Sequence, residues 1–181
     1  FFSSMGGCLP SKSQNVVLFF PDAKLPCNQF YEQGSCRFGD KCRYSHSATN
    51  LTRLCDYLRG AKSSIKICVF NITCDFISTQ IKQAHQRGVK VQIISDDAQS
   101  KSQGSDIDEF IKEGIPVRTD KQPTHMHHKF CIIDDKYLVN GSFNWTVSAV
   151  TGNAENVVIT SKPTVVRPFI IEFGRLWQKY A

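Results

Sequence analysis

The chain has 181 residues, with 22 Lys and Arg against 16 Asp and Glu, a net charge of +6, and 41% hydrophobic residues. That length accommodates one sizeable core with a small satellite module, and the composition excludes a disordered or low-complexity chain. No apolar run in the sequence reaches the ~18 residues of a membrane-spanning helix, and the scattered positive charge favours a polyanionic partner.

Residues 15–20 form a short apolar, β-branched run stopped by Pro21 and read as a buried strand. Residues 25–46 then interrupt the pattern with closely spaced cysteines. Leu51, Leu54, Cys55 and Leu58 recur at helical spacing behind Thr49-Asn50, with Gly60 near the end. Residues 64–72 predict a strand, and 76–87 a helix closed by Gly88 in a Schellman-type position. A strand over 89–95 ends in Asp96-Asp97, read as a solvated acidic turn. Residues 105–113 predict a helix stopped by Gly114, leading into a strand over 115–118. Residues 127–134 and 136–141 predict paired strands around a tight turn at Asp134-Asp135, and 156–160 a last strand. A C-terminal helix from about Thr164 turns Phe169, Ile170, Phe173 and Trp177 inward, with Pro168 awkward unless it falls in the first turn. Alternating strands and helices argue an α/β fold with a mixed sheet. There is no internal repeat.

The eight cysteines do not read as a disulfide framework. Cys55, Cys68, Cys74 and Cys131 fall in apolar segments and read as small buried hydrophobes. Cys8, in a Gly/Ser-rich start, reads as exposed. Cys27, Cys36, Cys42 and His46 stand at C-x8-C-x5-C-x3-H spacing. Three thiolates and one imidazole give tetrahedral Zn2+ a closed, structural site with no position for a reactive water.

The densest chemistry lies at His127-x-Lys129-x4-Asp134, followed by Gly141-Ser142-Phe143-Asn144. On a strand, His127 and Lys129 emerge on one face while His128 points the other way. His125 shares the face of His127 if the strand starts that early. The turn after 141 returns a hydroxyl and an amide to the same face. Phosphodiester cleavage requires a nucleophile, stabilisation of the transition-state charge and a proton donor for the leaving oxygen, and one imidazole, one ammonium, one hydroxyl and one amide supply most of these parts. Trp145 reads as core packing beside the motif.

This string, with Glu155 downstream, resembles the signature of the phospholipase D superfamily, and most closely its Zucchini family of single-motif endonucleases of the piRNA pathway. The resemblance implies a catalytic set of His127, Lys129, Asp134, Ser142, Asn144 and Glu155. In it His127 attacks phosphorus, Lys129, Ser142 and Asn144 hold phosphate oxygens, and Glu155 orients the imidazole. Asp134 belongs to the motif but sits at a turn, and reads as a structural acid rather than a proton carrier. One motif copy implies a homodimer with a shared site, one His127 attacking and the other protonating the leaving oxygen. It also implies an anchor in the mitochondrial outer membrane, N-terminal to Phe1, with the catalytic domain facing the cytosol.

The cysteine segment resembles CCCH zinc fingers that bind single-stranded RNA. The resemblance assigns Phe38 and Tyr44 to base stacking and Arg37, Lys41 and Arg43 to phosphates. Asp22 to Pro26 lacks the basic-aromatic lead-in of sequence-selective fingers, so a sequence-tolerant grip is expected. The alternative is a structural insertion with both aromatics packed inward. The resulting expectation is a phospholipase-D-like α/β fold, a mixed sheet sandwiched by helices, with residues 1–24 as lead-in and first strand, 25–47 as inserted finger and 48–181 as catalytic core. The expected function is metal-independent cleavage of single-stranded RNA through a phosphohistidine, leaving 5′-phosphates. The alternative is a hydrolase of cardiolipin or other phosphatidyl lipids at the membrane, and a third reading is an RNA-binding scaffold.

Overall fold

The computed structural model describes residues 14–101 and 104–181, so the expectations on Phe1-Phe2 and Cys8 fall outside the described residues. Seven strands build one mixed sheet: β1 (Asn15–Phe20), β2 (Ser64–Val69), β3 (Lys90–Ser95), β4 (Val117–Thr119), β5 (Lys129–Ile133), β6 (Tyr137–Gly141) and β7 (Glu155–Thr160). Their order is β1-β7-β6-β5-β2-β3-β4, parallel across β2-β3-β4 and antiparallel elsewhere. The helices are α1 (Asn28–Gln33), α2 (Asn50–Arg59), α3 (Asp75–Gln86), α4 (Asp97–Ser100), α5 (Ile107–Lys112), α6 (Val147–Thr151) and α7 (Pro163–Lys179). The mixed sheet sandwiched by helices is the expected class.

Strand alternation sends Ile65, Ile67 and Val69 of β2, and Cys131 and Ile133 of β5, to one face, where Leu54, Cys55 and Leu58 of α2 and Ile77 and Ile81 of α3 close over them. Cys68, Phe130, Ile132 and Leu138 face the other way, under Val166, Phe173 and Leu176 of α7. Phe169, Ile170 and Trp177 pack beside these, half-buried. Because α7 begins at Pro163, Pro168 lies in its second turn, not the first, and offers Thr164 no N–H. The α7 layer stops short of the sheet's far edge. Val17 and Phe19 of β1 and Val158 of β7, which pairs with Val17, remain exposed there.

Most differences from the expected elements have local causes. β2 ends at Val69 because 71–73 turns aside to pair with Trp145, whose N–H donates to the Asn71 carbonyl at 3.0 Å while its own carbonyl accepts from Thr73 at 2.9 Å. The short helices α1, α4 and α6 have too few residues for an apolar period to show. Asp96 is the N-cap of α4, its Oδ1 accepting from Ala98 and Gln99. It is fully buried, which corrects the reading of Asp96-Asp97 as a solvated turn.

Asp134 stands at the far end of β5, at φ 55°, with Asp135 beside it at φ 50°. Its carboxylate accepts from the N–H groups of Lys62, Ser63 and Ser64 and from the Ser63 hydroxyl, at 2.7 to 3.1 Å. Burial pushes this carboxyl upward, but the bonds from Ser63, Ser64 and Lys62 outweigh it and hold it below the ordinary value. Asp134→Ala should cost about 2 kcal/mol at pH 7, since three backbone N–H groups and one hydroxyl lose a charged acceptor. A lowered carboxyl stabilises the fold above its unfolded pKa of about 3.9, and that contribution disappears as pH falls through the folded value. Denaturant melts of wild type and variant should therefore differ by a constant amount from pH 5 to 8 and converge below pH 4. Convergence at neutral pH would deny Asp134 this role.

Candidate active site

The motif residues gather at one end of the sheet, where β2 and β6 finish and β5 and β7 begin. His127 lies in irregular chain just before β5, not inside the strand as expected. The alternation persists regardless, because Phe70 N–H donates to the His128 carbonyl at 2.9 Å and extends the pairing beyond Lys129. Lys129 Nζ lies 3.2 Å from His127 Nδ1 and donates to the His127 carbonyl at 2.9 Å. His128 turns to the opposite face, edge-on to Phe130, with Nε2 3.9 Å from Glu172 on α7.

Glu155 does not reach His127. Within the single chain its carboxylate accepts from the Ser142 hydroxyl and, at 3.3 Å, from the Asn153 amide, where the sequence reading paired it with the imidazole. The sheet order explains this: β6 separates β7 from β5, and Ser142 follows β6 in that gap. Ser142 Oγ in turn accepts from Asn156 N–H at 3.1 Å. Gly141 is the only residue that fits before it, since a Cβ there would overlap the Asn156 carbonyl oxygen and lie 3.1 Å from Val157 Cα. Asn144 precedes the buried Trp145, and its Oδ1 is buried with no hydrogen-bond partner among the described residues, as is that of Asn71 across the Trp145 bridge. Unpaired buried acceptors on this rim suit a donor brought by water or substrate. Asp134, at the other end of β5, is about 17 Å from this cluster at ~3.3 Å per residue. The structure does not bring it into the site.

Partial burial, then the Lys129 charge and His125, push the His127 imidazole below its ordinary value; Asp96 opposes. A neutral imidazole at neutral pH is the nucleophilic form. Burial also pushes Lys129 downward, and Glu155 opposes it. Two features of the rim were missed in the sequence. The Phe70 ring carries His127 at 4.7 Å, Lys129 Nζ at 5.1 Å and His125 at 5.5 Å. His125 Nδ1 lies 3.0 Å from Asp96 Oδ2. An aromatic at the carboxyl end of a strand was the available signal for the first, since ligands gather at such ends. The second joins residues far apart in sequence.

The inserted segment builds a second cluster. Cys27, Cys36, Cys42 and His46 place their ligand atoms within 4.8 Å of one another. His46 Nε2 is buried without a partner, and its ring stacks on Phe30 at 4.5 Å. The backbone N–H of Phe38 leads the lowering of Cys36 to about 7, against burial. This donor set fits a tetrahedral zinc ion with no open position. Phe38 and Tyr44 are 55% and 37% exposed, not packed inward. Arg37 covers the Phe38 ring at 4.7 Å and Arg43 the Tyr44 ring at 4.8 Å. Lys41 closes the short turn between them. Tyr31 fastens the segment to the core, donating to Asp56 at 2.7 Å and packing on Phe76. Tyr44 also lines a hollow with Asp75 of α3 and Val147 of α6, three residues past Asn144. The finger therefore meets the starts of α3 and α6, the helices that follow β2 and Asn144.

The family profile described as "Cardiolipin synthase, PLD-like domain" matches residues 54–177, and that of the CCCH zinc finger matches 23–48. The "Mitochondrial cardiolipin hydrolase" of Chlamydomonas reinhardtii is 51% identical over 164 residues, covering 91% of this chain and 73% of that protein. The chain belongs to the phospholipase D superfamily. Within it, the human protein of the same name is 36% identical over 175 residues, covering 93% and 69% of the two chains. A phospholipase D family member, Nuc from Salmonella typhimurium, shares the fold at a TM-score of 0.75 and 23% identity, across 94% of this chain and 97% of its own. A phospholipase-D-type phosphodiesterase carrying a CCCH finger is what the two clusters describe together.

Proposed function

We propose that this phosphodiesterase is an endonuclease for single-stranded RNA, working as a homodimer and without a metal at the chemical step. The observation that carries the substrate class is the pair of exposed, guanidinium-covered aromatics on the finger, of which Tyr44 lines a hollow with Asp75 and with Val147, three residues past Asn144. Such rings stack unpaired bases with little regard to sequence, and Arg37, Lys41 and Arg43 meet phosphates.

In this reading His127 attacks phosphorus and the 3′-oxygen leaves, taking a proton from the partner subunit's His127. Lys129 and the Asn144 amide hold the non-bridging oxygens as charge builds, and the Ser142 hydroxyl joins them by turning its single proton from Glu155 to the phosphate. Before that turn Glu155 fixes the Ser142 hydroxyl. Water activated by the second imidazole then cleaves the phosphorus–nitrogen bond, releasing a 5′-phosphate and restoring His127. Two requirements favour the dimer. One neutral imidazole cannot also supply the proton, and His127 is exposed in the single chain. The uncovered Val17, Phe19 and Val158 line the β1–β7 edge, with Phe19 opposite Asn156, and give a second copy an apolar seat.

The relatives' name favours a second reading, hydrolysis of cardiolipin, and supports a mitochondrial address. We place the protein at the outer membrane, its catalytic core facing the cytosol, in piRNA biogenesis; no helix among the described residues is long and apolar enough to cross a membrane. Purified protein with its zinc content verified, incubated without added metal with single-stranded RNA, duplex RNA and cardiolipin vesicles, decides the substrate. Cleavage of the single strand to 5′-phosphate ends is expected. Phosphatidic acid release with intact RNA would reverse the assignment.

A further inference from the structure

His125 stands outside the motif and outside the mechanism above, yet it is built into the same rim. Its Nδ1 meets Asp96 Oδ2 at 3.0 Å. That carboxylate is fully buried, and its other oxygen is held by the Ala98 and Gln99 N–H groups at 3.1 and 3.0 Å. Asp120 secures the neighbouring backbone, accepting from Asp97 N–H and from Met126 N–H at 3.0 Å each. Buried Met126 anchors the chain between the two histidines. A rigid carboxylate thus fixes the orientation of an imidazole that is itself 60% exposed. Carboxylates that orient working imidazoles do so through one ring nitrogen and leave the other available.

The position is as informative as the bond. His125 and His127 both lean on the Phe70 ring, at 5.5 and 4.7 Å between centroids. Their rings therefore lie within about 10 Å of each other on one rim, where Nδ1 of His125 is engaged and Nε2 has no partner among the described residues. When protonated, the imidazole is neutralised on one side by Asp96 and keeps one N–H to donate.

We infer that His125 is a substrate-binding residue, holding through Nε2 the anionic group next to the scissile phosphate, with Asp96 as its positioning residue. The site would then prefer a substrate carrying a second phosphate beside the one attacked. The inference rests on His127 being the reacting imidazole, but on neither RNA nor lipid as natural substrate.

The test uses two small probes, a nucleoside 5′-(4-nitrophenyl) phosphate with and without a second phosphate on its 3′-oxygen. His125→Gln should raise KM about tenfold for the two-phosphate probe, about 1.4 kcal/mol. It should leave kcat and the one-phosphate probe within about twofold, since the chemical step keeps all its parts. Asp96→Asn, whose oxygen still caps α4, should reproduce the selective rise without touching His125. Equal losses on both probes, a fall in kcat, or no change in either variant would overturn the inference. His127→Asn separates this from the parent reading: full activity in that variant would remove the site assignment itself.

Discussion

Replacing His127 by Asn should lower phosphodiester hydrolysis by about 10⁴-fold or more while leaving the melting temperature within a few degrees of wild type. The rate effect is large because the nucleophile belongs to a unit whose parts fail together. The stability effect is small because the ring is exposed and, among the described residues, meets only Lys129 Nζ and the Phe70 ring. Single-turnover assays with labelled substrate should trap an acid-labile phosphoryl group on wild type and none on the variant. Co-expressed mixtures test the shared site. If each reaction needs two His127 residues, activity should fall with the square of the wild-type fraction, and a linear fall would mean that one chain suffices.

The same residue predicts a pH profile. Partial burial, then Lys129 and His125, depress His127, so its neutral form persists below the ordinary histidine value of about 6.5. The acid limb of kcat/KM should lie under that value, and Lys129→Met should move it upward even as it slows the reaction. In a dimer the limb belongs to the pair of imidazoles, not to either one. A limb above 6.5 in wild type would contradict the depressed nucleophile.

What the sequence disclosed divides by range. His127 and Lys129 converge because alternation over two residues is a local rule, and it persists even though the strand begins later than expected. Asp134 was legible as scaffold for the same reason, two consecutive acids between apolar runs making a turn. Glu155 was placed near the site, but its neighbour within the chain, Ser142, was not read. The order β7-β6-β5, which interposes Ser142, comes from pairings between distant segments. Asp96 read as solvated because its burial depends on a histidine 29 residues later and a helix of four residues. The sites themselves were carried by spacing, and their surroundings by topology.

Zinc removal should separate binding from chemistry. Ligand binding in such fingers is itself the folding free energy, about 10–16 kcal/mol in isolated peptides, so exhaustive chelation or Cys42→Ser should melt the loop bearing Phe38 and Tyr44. The core closes independently of that loop. Asp22, before the insertion, accepts from the Asn50 and Leu51 N–H groups after it at 3.1 and 2.9 Å, and β1 pairs along its whole length with β7. Affinity for a single-stranded oligonucleotide should therefore fall by about thirtyfold or more, as two stacking rings are worth ~1–3 kcal/mol each. Hydrolysis of a small nitrophenyl diester should stay within about threefold, because His127, Lys129, Ser142 and Asn144 belong to the core. Binding titrations and diester assays on one chelated sample, with zinc content measured alongside, read both outcomes. Unchanged oligonucleotide affinity would make the finger a structural insertion, and parallel loss of diester hydrolysis would make it part of the catalytic fold.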